Sequence, residues 1–299
     1  MAERWRALAT KSSSLRAEKI SPRCESDLCA SSIRGDFEIE VGAAAPAEEI
    51  GAVDLVLVAV KAWQVPEVAA TISPLLGSPT VVVPLENGVE VPAQLASALG
   101  ADHIVGGFCK IVAFMAGPGH VRHIGAEPSV AFGELEAGSE RRRLPELRDV
   151  FVQAGIACEI PSDIVVAMWE KFIFIAPLGG MGAMTGLPFG AFKTTGPLRT
   201  QLEAGMREMA EVAGALRVNF PEDTVAKTMS FVDTLQPDGV TSMQRDISAG
   251  RPSELDAQNG SVARLGRAAG VPTPTHEAIC AALAPREKRA RALAAAKNT

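Results

Sequence analysis

The feature that most constrains the fold is a continuous apolar run, VDLVLVAV, at residues 53–60. A strand with apolar residues on both faces is typical of a parallel sheet that helices cover on each side. A second run, TVVVP, follows at 80–84, and helix-like segments at 64–76 and 91–99 come after the two runs. This alternation of strands and helices predicts a doubly wound parallel α/β sheet.

The pattern changes near residue 161. Up to that point, further strand-like segments and one charged helix continue the α/β pattern, whereas only helical signals follow. A chain of this length suits two domains. We therefore predict an atypical or disordered N-terminal segment at 1–34, an α/β domain at 35–161 and an all-helical domain at 162–299.

The composition excludes some classes of partner. Acidic residues outnumber basic residues by 35 to 29, giving a net charge of -6, which argues against general nucleic-acid binding. The five cysteines are odd in number and scattered, which favours a reducing intracellular compartment. No apolar run has the length of a membrane span, and the histidines and cysteines form no metal-binding spacing.

The two ends of the chain differ from the rest. Residues 1–34 are rich in serine and arginine and lack a strand-like apolar run. Their seven basic and four acidic residues also suit a weak organelle-targeting segment, so a disordered start and a targeting start both stay open. The tail from Pro285 onward is basic and alanine-rich, and we expect it to be solvated.

Two polar side chains follow the two buried strands. Lys61 comes directly after Val60, and Asn87 opens an Asn-Gly turn after the second run. In an open parallel sheet, ligands bind at the carboxyl ends of the strands, where these residues lie. A lysine that points to water and a common Asn-Gly turn are the structural alternatives.

Lys171 is a candidate proton donor. It lies in the apolar sequence MWEKFIFIA, where an ammonium is costly unless it faces a cleft or a partner. An ammonium in a cleft can donate a proton to a carbonyl oxygen and stabilise the developing alkoxide, and a carboxylate such as Glu254 would orient it. The alternative is a lysine that reaches the surface beside Glu170.

The stretch TSMQRDISAGRPSELDAQNG at 241–260 concentrates polar residues around a chain break. We predict a helix capped by Thr241 or Ser242, ended by a Gly and Pro pair at 250–252. Ser253 then caps a second helix with Asp256 as an approximate capping box, which places Glu254 in its first turn. A well-capped surface turn between two helices is the structural alternative.

Together these stretches resemble the ketopantoate reductase (2-dehydropantoate 2-reductase) family. The matching pieces are VDLVLVAVKAWQ at 53–64, ENGVE at 86–90, MWEKF at 168–172 and SMQRDISAGRPSELDAQNG at 242–260, with GVPTPTHEAI at 270–279 resembling the family's end. The resemblance covers roughly residues 35–285. It implies a Rossmann-like sheet, here missing its first βα unit, that binds NADP(H), and a helical domain for substrate binding and dimerisation.

The resemblance also implies the NADPH-dependent reduction of ketopantoate to pantoate, toward pantothenate and coenzyme A. It assigns the general acid to Lys171, the carboxylate that engages the substrate hydroxyl and the lysine to Glu254, and a substrate-carboxylate contact to Ser242. Lys61 and Asn87 would link cofactor and substrate, and the implied cofactor contacts are Val60, Lys61, Asn87 and Glu254. The resemblance implies a small 2-keto acid as substrate and leaves a homodimer through the helical domain open. From the residues themselves we expect a cytoplasmic protein with no metal, membrane or nucleic acid as partner.

This chain departs from the family's pattern at two places. The family usually has asparagines four and eight residues after the lysine, where Ile175 and Gly179 stand here, so a 2-keto acid with a more apolar end stays an alternative substrate. The family's glycine-rich phosphate loop does not occur in residues 1–52. We therefore expect weak NADPH binding, low solubility and an exposed edge on strand 53–60, and a truncated non-catalytic homologue stays open.

Overall fold

The computed structural model describes residues 27–40, 47–136 and 143–297. The chain forms two compact units. The first, called the α/β unit below, runs to Ile164 but excludes two short segments, Lys61–Trp63 and Asn87–Glu90. Those segments join Val165–Thr299 in the second, called the helical unit. Most of the N-terminal segment for which disorder or targeting was expected lies outside the described residues.

The α/β unit contains seven strands and three α-helices among its described residues. The strands are β1 (Asp27–Ser31), β2 (Phe37–Glu40), β3 (Leu55–Val58), β4 (Val81–Pro84), β5 (Gly106–Gly117), β6 (His120–Gly133) and β7 (Ala157–Glu159). The helices are α1 (Val65–Ile72), α2 (Val91–Leu99) and α3 (Leu144–Gln153).

The two apolar runs form β3 and β4, which pair in parallel, and every residue of β4 is buried. Among the described residues β3 pairs with β4 alone, and Leu57 is 43% exposed on one face of this pair. The exposed edge of β3 stays a prediction. The other sheet has the order β2-β1-β6-β5, with β7 beside β6. It mixes parallel and antiparallel pairs rather than being wholly parallel.

The core of the α/β unit lies between these strands and α3. Val83 of β4, Phe132 of β6 and Phe151 of α3 are buried in one cluster, and the two phenylalanine rings lie 5.8 Å apart. Burial of apolar side chains from both strands and helix stabilises the layers, at about 25 cal/mol for each Å² removed from water. The predicted Rossmann-like α/β class is therefore confirmed.

Strand β1 corrects the expectation that residues 1–34 contain no strand. It pairs antiparallel with β2 and parallel with β6, and the Cys29 amide donates to Gly119 O at 2.9 Å. Pairing on both sides supplies the ladder hydrogen bonds that its short, partly polar sequence does not signal. β6 is 14 residues long, and a turn at Gly119, with φ 68°, joins it to β5.

The helical unit follows the predicted all-helical pattern. Its regular elements are α4 (Ile164–Thr185), α5 (Pro197–Ala215), α6 (Thr224–Thr234), α7 (Ser242–Ser248), a π-helical turn (Asp256–Gly260), α8 (Ser261–Ala269) and α9 (Pro274–Lys297). Their apolar faces meet in one core cluster. Its fully buried members include Ile173, Leu178, Met206, Met209, Val262 and Ile279.

Helix α4 is the central element of this unit. Contrary to the expectation from the sequence, its 22 residues are long and apolar enough to cross a membrane. However, 61% of the most apolar window is buried inside the protein, as in the core helix of a soluble domain. A Cβ added at Gly180 would clash with Asn259, and one at Gly182 with Gln244, so the lack of a side chain at these glycines allows close packing.

Helix α9 corrects the expectation that the tail from Pro285 is solvated. The helix continues through Pro285 to Lys297. Leu283, Glu287 and Ala290 are all buried. Their spacing of four and three residues places them on one face of the helix, and this face packs against the rest of the helical unit. Arg286, Lys288 and Arg289 are exposed, whereas Arg291 is half-buried.

Candidate functional site

The strand-end lysine is held by an ion pair within the helical unit. The Lys61 ammonium lies 2.7 Å from Asp246 Oδ2, and Arg251 donates to the other oxygen of Asp246 at 2.8 and 3.0 Å. The Asp246 side chain is only 12% exposed, and two cations compensate the cost of burying its charge. The lysine side chain is 39% exposed, so it faces solvent while its position is fixed by Asp246.

Glu254 is buried, and three donors surround its carboxylate. Oε1 accepts from the Ala62 amide at 3.3 Å, and Oε2 accepts from Asn87 Nδ2 at 3.2 Å and from Gln258 Nε2 at 3.5 Å. Hydrogen bonds of this kind satisfy a buried carboxylate and restrict its rotation. The structure therefore brings together the residues that follow β3 and β4 with the Glu254 turn.

The local structure around Glu254 differs from the predicted capped helix. Ser253 and Glu254 precede the helical residues, which begin with the π-helical turn at Asp256. Asp256 pairs with Arg264, and no capping hydrogen bond from it to Ser253 is found among the described residues. Ser253 Oγ instead accepts from the Leu255 amide at 3.3 Å. The glutamate therefore extends from the turn before the helix, not from the helix itself.

Ser242 begins helix α7. Thr241 is the N-cap of this helix, as predicted, and its side-chain oxygen accepts from the Gln244 amide at 3.2 Å. Ser242 is half-buried and lies one helical turn before Asp246. Residues four apart share a face of a helix, so the serine hydroxyl and the carboxylate that holds Lys61 project from the same side of α7.

Lys171 is half-buried on helix α4, and Ile175 and Gly179 follow it on the same face at four-residue intervals. At Gly179 an added Cβ would lie 3.2 Å from Thr241 Oγ1 and 3.5 Å from Gln258 Oε1. This face of α4 therefore passes next to Thr241, which precedes Ser242, and next to Gln258, which donates to Glu254. Lys171 lies eight residues earlier on it, about 12 Å along the helix axis.

Val60 belongs to the α/β unit, unlike Lys61 and Asn87. Its amide donates to Glu86 Oε1 at 3.0 Å, and the Leu85 amide donates to Glu86 Oε2 at 3.1 Å. Glu86, which is 6% exposed, therefore joins the ends of β3 and β4. The amide hydrogen of Val60 is engaged in this contact.

Sequence reasoning did not single out Asp246, Arg251, Gln258 or Glu86 as part of the site. A weak signal was present, since Asp246 follows Ser242 and Gln258 follows Glu254 by four residues, the spacing of neighbours on a helix face. Gln258 Oε1 and Asn259 Oδ1 are buried and accept no hydrogen bond from the described residues. Nor do the described residues contain a group of three or more His, Cys, Asp or Glu that suits a metal ion.

Comparisons with known proteins agree on one family. The family model described as "Ketopantoate reductase PanE/ApbA" matches residues 14–137. A second, described as "Ketopantoate reductase PanE/ApbA C terminal", matches residues 163–287. The two matches together span most of the α/β unit and most of the helical unit.

Individual relatives are similar along most of the chain. A 2-dehydropantoate 2-reductase from Mesorhizobium japonicum is 29% identical over 261 residues, covering 81% of this chain and 79% of the relative. The crystal structure of a 2-dehydropantoate 2-reductase from Geobacter metallireducens is 29% identical, with a TM-score of 0.82 and coverage of 91% of this chain and 90% of that chain. A dimeric ketopantoate reductase from Staphylococcus aureus, 19% identical with a TM-score of 0.74 and coverage of 88% and 87%, shares the fold.

Proposed function

Because this chain belongs to the ketopantoate reductase family, we propose that it reduces 2-dehydropantoate to pantoate with NADPH, in the synthesis of pantothenate and coenzyme A. The observation that carries the proposal is the cluster around the Glu254 carboxylate. Two segments from the strand ends, through Ala62 and Asn87, donate to this carboxylate within one compact unit. These are the segments that carry the resemblance at 53–64 and 86–90.

The family and the Rossmann-like fold imply a nicotinamide cofactor, and we assign NADP(H). Lys61 and Asn87 fit the nicotinamide end of such a cofactor, because an ammonium and an amide follow two adjacent parallel strands, at the edge where ligands bind. Val60 and Glu254 complete the proposed contacts. When bound, the reduced nicotinamide supplies the hydride.

Lys171 is the proposed general acid. Reduction of a ketone leaves negative charge on the carbonyl oxygen, which an ammonium stabilises and then neutralises by donating a proton. Its place on the face of α4 that passes Thr241 and Gln258 supports this role. A positioned acid of this kind contributes typically 10²–10⁴-fold to the rate.

The substrate's other polar groups require separate partners. Glu254 would accept a hydrogen bond from the substrate hydroxyl and orient the Lys171 ammonium. Ser242 would donate its hydroxyl hydrogen to the substrate carboxylate. The network around Asp246 supports this arrangement, because it holds Lys61 and α7, and therefore Ser242, at fixed positions.

We also propose a cytoplasmic homodimer formed through the helical unit. The dimeric Staphylococcus aureus reductase, which shares the fold, motivates the homodimer. The odd number and the scatter of the five cysteines along the sequence motivate the cytoplasm, a reducing compartment. Light scattering on the purified chain tests the dimer, and a monomeric mass across the concentrations used in the assay contradicts it.

The activity is tested by following NADPH absorbance after addition of ketopantoate to the folded chain. We expect turnover with ketopantoate and a lower kcat/KM with 2-ketoisovalerate, which lacks the hydroxyl that Glu254 would bind. NADH in place of NADPH tests the assignment of the phosphorylated cofactor. The proposal is contradicted if the protein is folded but none of the 2-keto acids tested supports the oxidation of NADPH.

NADPH affinity is measured separately by titration. The sequence predicts weak binding, because the glycine-rich loop does not occur in residues 1–52. A charge-assisted hydrogen bond contributes about 1.5–3 kcal/mol, and a phosphate cradle makes several. We therefore run the activity assay across a wide range of NADPH concentrations, so that weak binding raises the KM for NADPH without hiding turnover.

A further inference from the structure

Ser253, the residue directly before Glu254, is fully buried, and helix α9 contacts its polar atoms. The Ser253 amide donates to both carboxylate oxygens of Glu287, at 3.0 and 3.2 Å, and its hydroxyl donates to Oε2 of the same residue at 2.6 Å. Arg291 Nη2 donates to the Ser253 carbonyl at 3.1 Å. Two residues of α9 therefore hold the backbone on the N-terminal side of Glu254.

The same two residues form an ion pair, and one of them, Arg291, also contacts the segment that donates to Glu254. Arg291 Nε lies 2.7 Å from Glu287 Oε1, one turn away on α9. The Arg291 guanidinium also stacks on Trp63, 4.8 Å from the ring centroid. Trp63 follows Ala62, whose amide donates to Glu254 Oε1. The guanidinium thus contacts both the turn that carries Glu254 and the segment that donates to it.

The pair of Glu287 and Arg291 restricts the movement of the backbone next to Glu254. The Glu287 side chain is 11% exposed, and a carboxylate at that depth requires compensation by hydrogen bonds and a cation, which Ser253 and Arg291 supply. Arginine suits its place because its planar group stacks on an aromatic ring while its edges donate hydrogen bonds. A lysine in its place retains the charge but loses this planar stacking.

We propose that Glu287 and Arg291 are positioning residues, which act through Glu254 by fixing the turn that carries it and the segment that donates to it. This inference rests on the function proposed above, in which Glu254 engages substrate. Misplacement of a reacting group by about 1 Å costs about 100-fold in rate. We expect Glu287→Gln and Arg291→Lys to lower kcat/KM by about 10-fold to 100-fold.

A double-mutant cycle separates positioning from general loss of stability. Glu287→Gln is measured in the wild-type chain and in the Glu254→Gln chain, with Arg289→Ala, an exposed change on the same helix, as the control. Positioning predicts that the effect of Glu287→Gln on kcat/KM falls to less than about 2-fold when Glu254 has already been replaced, because coupled residues are not additive. An equal effect in both backgrounds overturns the proposal.

Hydrogen exchange gives a readout that needs no activity. In Glu287→Gln we expect the Ala62 amide, which donates to Glu254 and not to Glu287, to lose at least about 10-fold in protection relative to the Phe172 amide in the core. Arg289→Ala leaves this ratio unchanged. An unchanged ratio in a folded Glu287→Gln variant overturns the inference, whereas a wild-type chain without turnover contradicts only the proposed function.

Reversal of the pair provides a further variant. Glu287→Arg with Arg291→Glu keeps an ion pair one turn apart on α9, but it presents a donor to the Ser253 amide in place of an acceptor. If the pair only stabilised the helix, this reversal would retain wild-type kcat/KM, and that result contradicts positioning. We expect the reversed variant to have a kcat/KM at least as low as that of Glu287→Gln, while its helix content equals that of wild type.

Discussion

The side-chain amide of Asn87 donates to Glu254 Oε2 across 3.2 Å, and so joins the turn after β4 to a carboxylate 167 residues away in the sequence. Asn87 is half-buried and Glu254 is buried, so water does not readily replace this donor. Loss of one hydrogen bond to a buried charged group costs about 1.5–3 kcal/mol. Replacement of Asn87 should therefore disturb the position of the Glu254 carboxylate.

Asn87→Ala is expected to lower kcat/KM for ketopantoate by about 10-fold or more, since 1.4 kcal/mol corresponds to a factor of ten. Asn87→Asp is expected to be worse, because a second carboxylate repels that of Glu254. Steady-state kinetics measure both variants, and Asn219→Ala, which changes an exposed amide elsewhere in the helical unit, is the control. Wild-type kinetics in Asn87→Asp would contradict the assigned contact.

Lys171→Ala is expected to lower kcat by about 100-fold to 10,000-fold, because the proposed proton donor is removed. Binding of NADPH, measured by titration, should change much less, since the lysine acts on the substrate oxygen. Lys227→Ala is the matched control, because this lysine is on α6 and its side chain is 71% exposed. Retention of kcat within a factor of about three in Lys171→Ala would remove Lys171 from the mechanism.

Gly180→Ala is expected to destabilise the helical unit by about 1–3 kcal/mol through overpacking. The added Cβ would lie 2.7 Å from Ile279 Cγ2 and from Asn259 Nδ2, and that amide is fixed by a hydrogen bond to Ala176 O. Gly214→Ala is the control, because a Cβ there meets open space on helix α5. Denaturant unfolding should show the first variant less stable than wild type and the second equal to it or more stable by up to about 1 kcal/mol.

His276 makes the free energy of unfolding depend on pH. The ring is fully buried, with one nitrogen 3.1 Å from Gly205 O and the other 3.1 Å from Asn259 Nδ2, which suits the neutral tautomer. Burial lowers the pKa of His276 from its ordinary value. Below about pH 6.5 the unfolded chain therefore binds a proton that the folded chain does not, and stability falls as the pH falls, by up to about 1.4 kcal/mol per pH unit.

Urea unfolding of wild type and His276→Gln between about pH 7.5 and pH 5.5 measures this effect. The substitution is expected to be destabilising at the upper pH, and the difference between the two proteins should narrow toward the lower pH. A difference that stays constant over this range would show that His276 does not titrate differently in the folded and unfolded chains. Neighbouring Glu208 opposes the shift, since its charge raises the pKa of the ring.

Much of the architecture was predictable because it depends on local pattern. The runs at 53–60 and 80–84 form β3 and β4, since an uninterrupted apolar segment has few alternatives to a strand buried on both faces. Thr241 caps α7, because its hydroxyl and the Gln244 amide are three residues apart. β1 was missed because its strand state depends on partners at β2 and β6, which the sequence DLCAS does not signal.

The sequence by itself determined the two buried strands, the change from strands to helices near residue 161 and the residue types that carry chemistry, because hydrophobic period and capping act over a few neighbouring residues. The tertiary structure alone decided which groups meet. It placed Asn87 and Ala62 on Glu254, Asp246 on Lys61, and Glu287 on Ser253. These contacts join distant parts of the chain, and their geometry follows from how the elements of the helical unit pack, which no short-range pattern encodes. The sequence shows where a carboxylate such as that of Glu254 stands in the chain. Only the packed fold buries it and supplies the hydrogen-bond donors that a buried carboxylate requires.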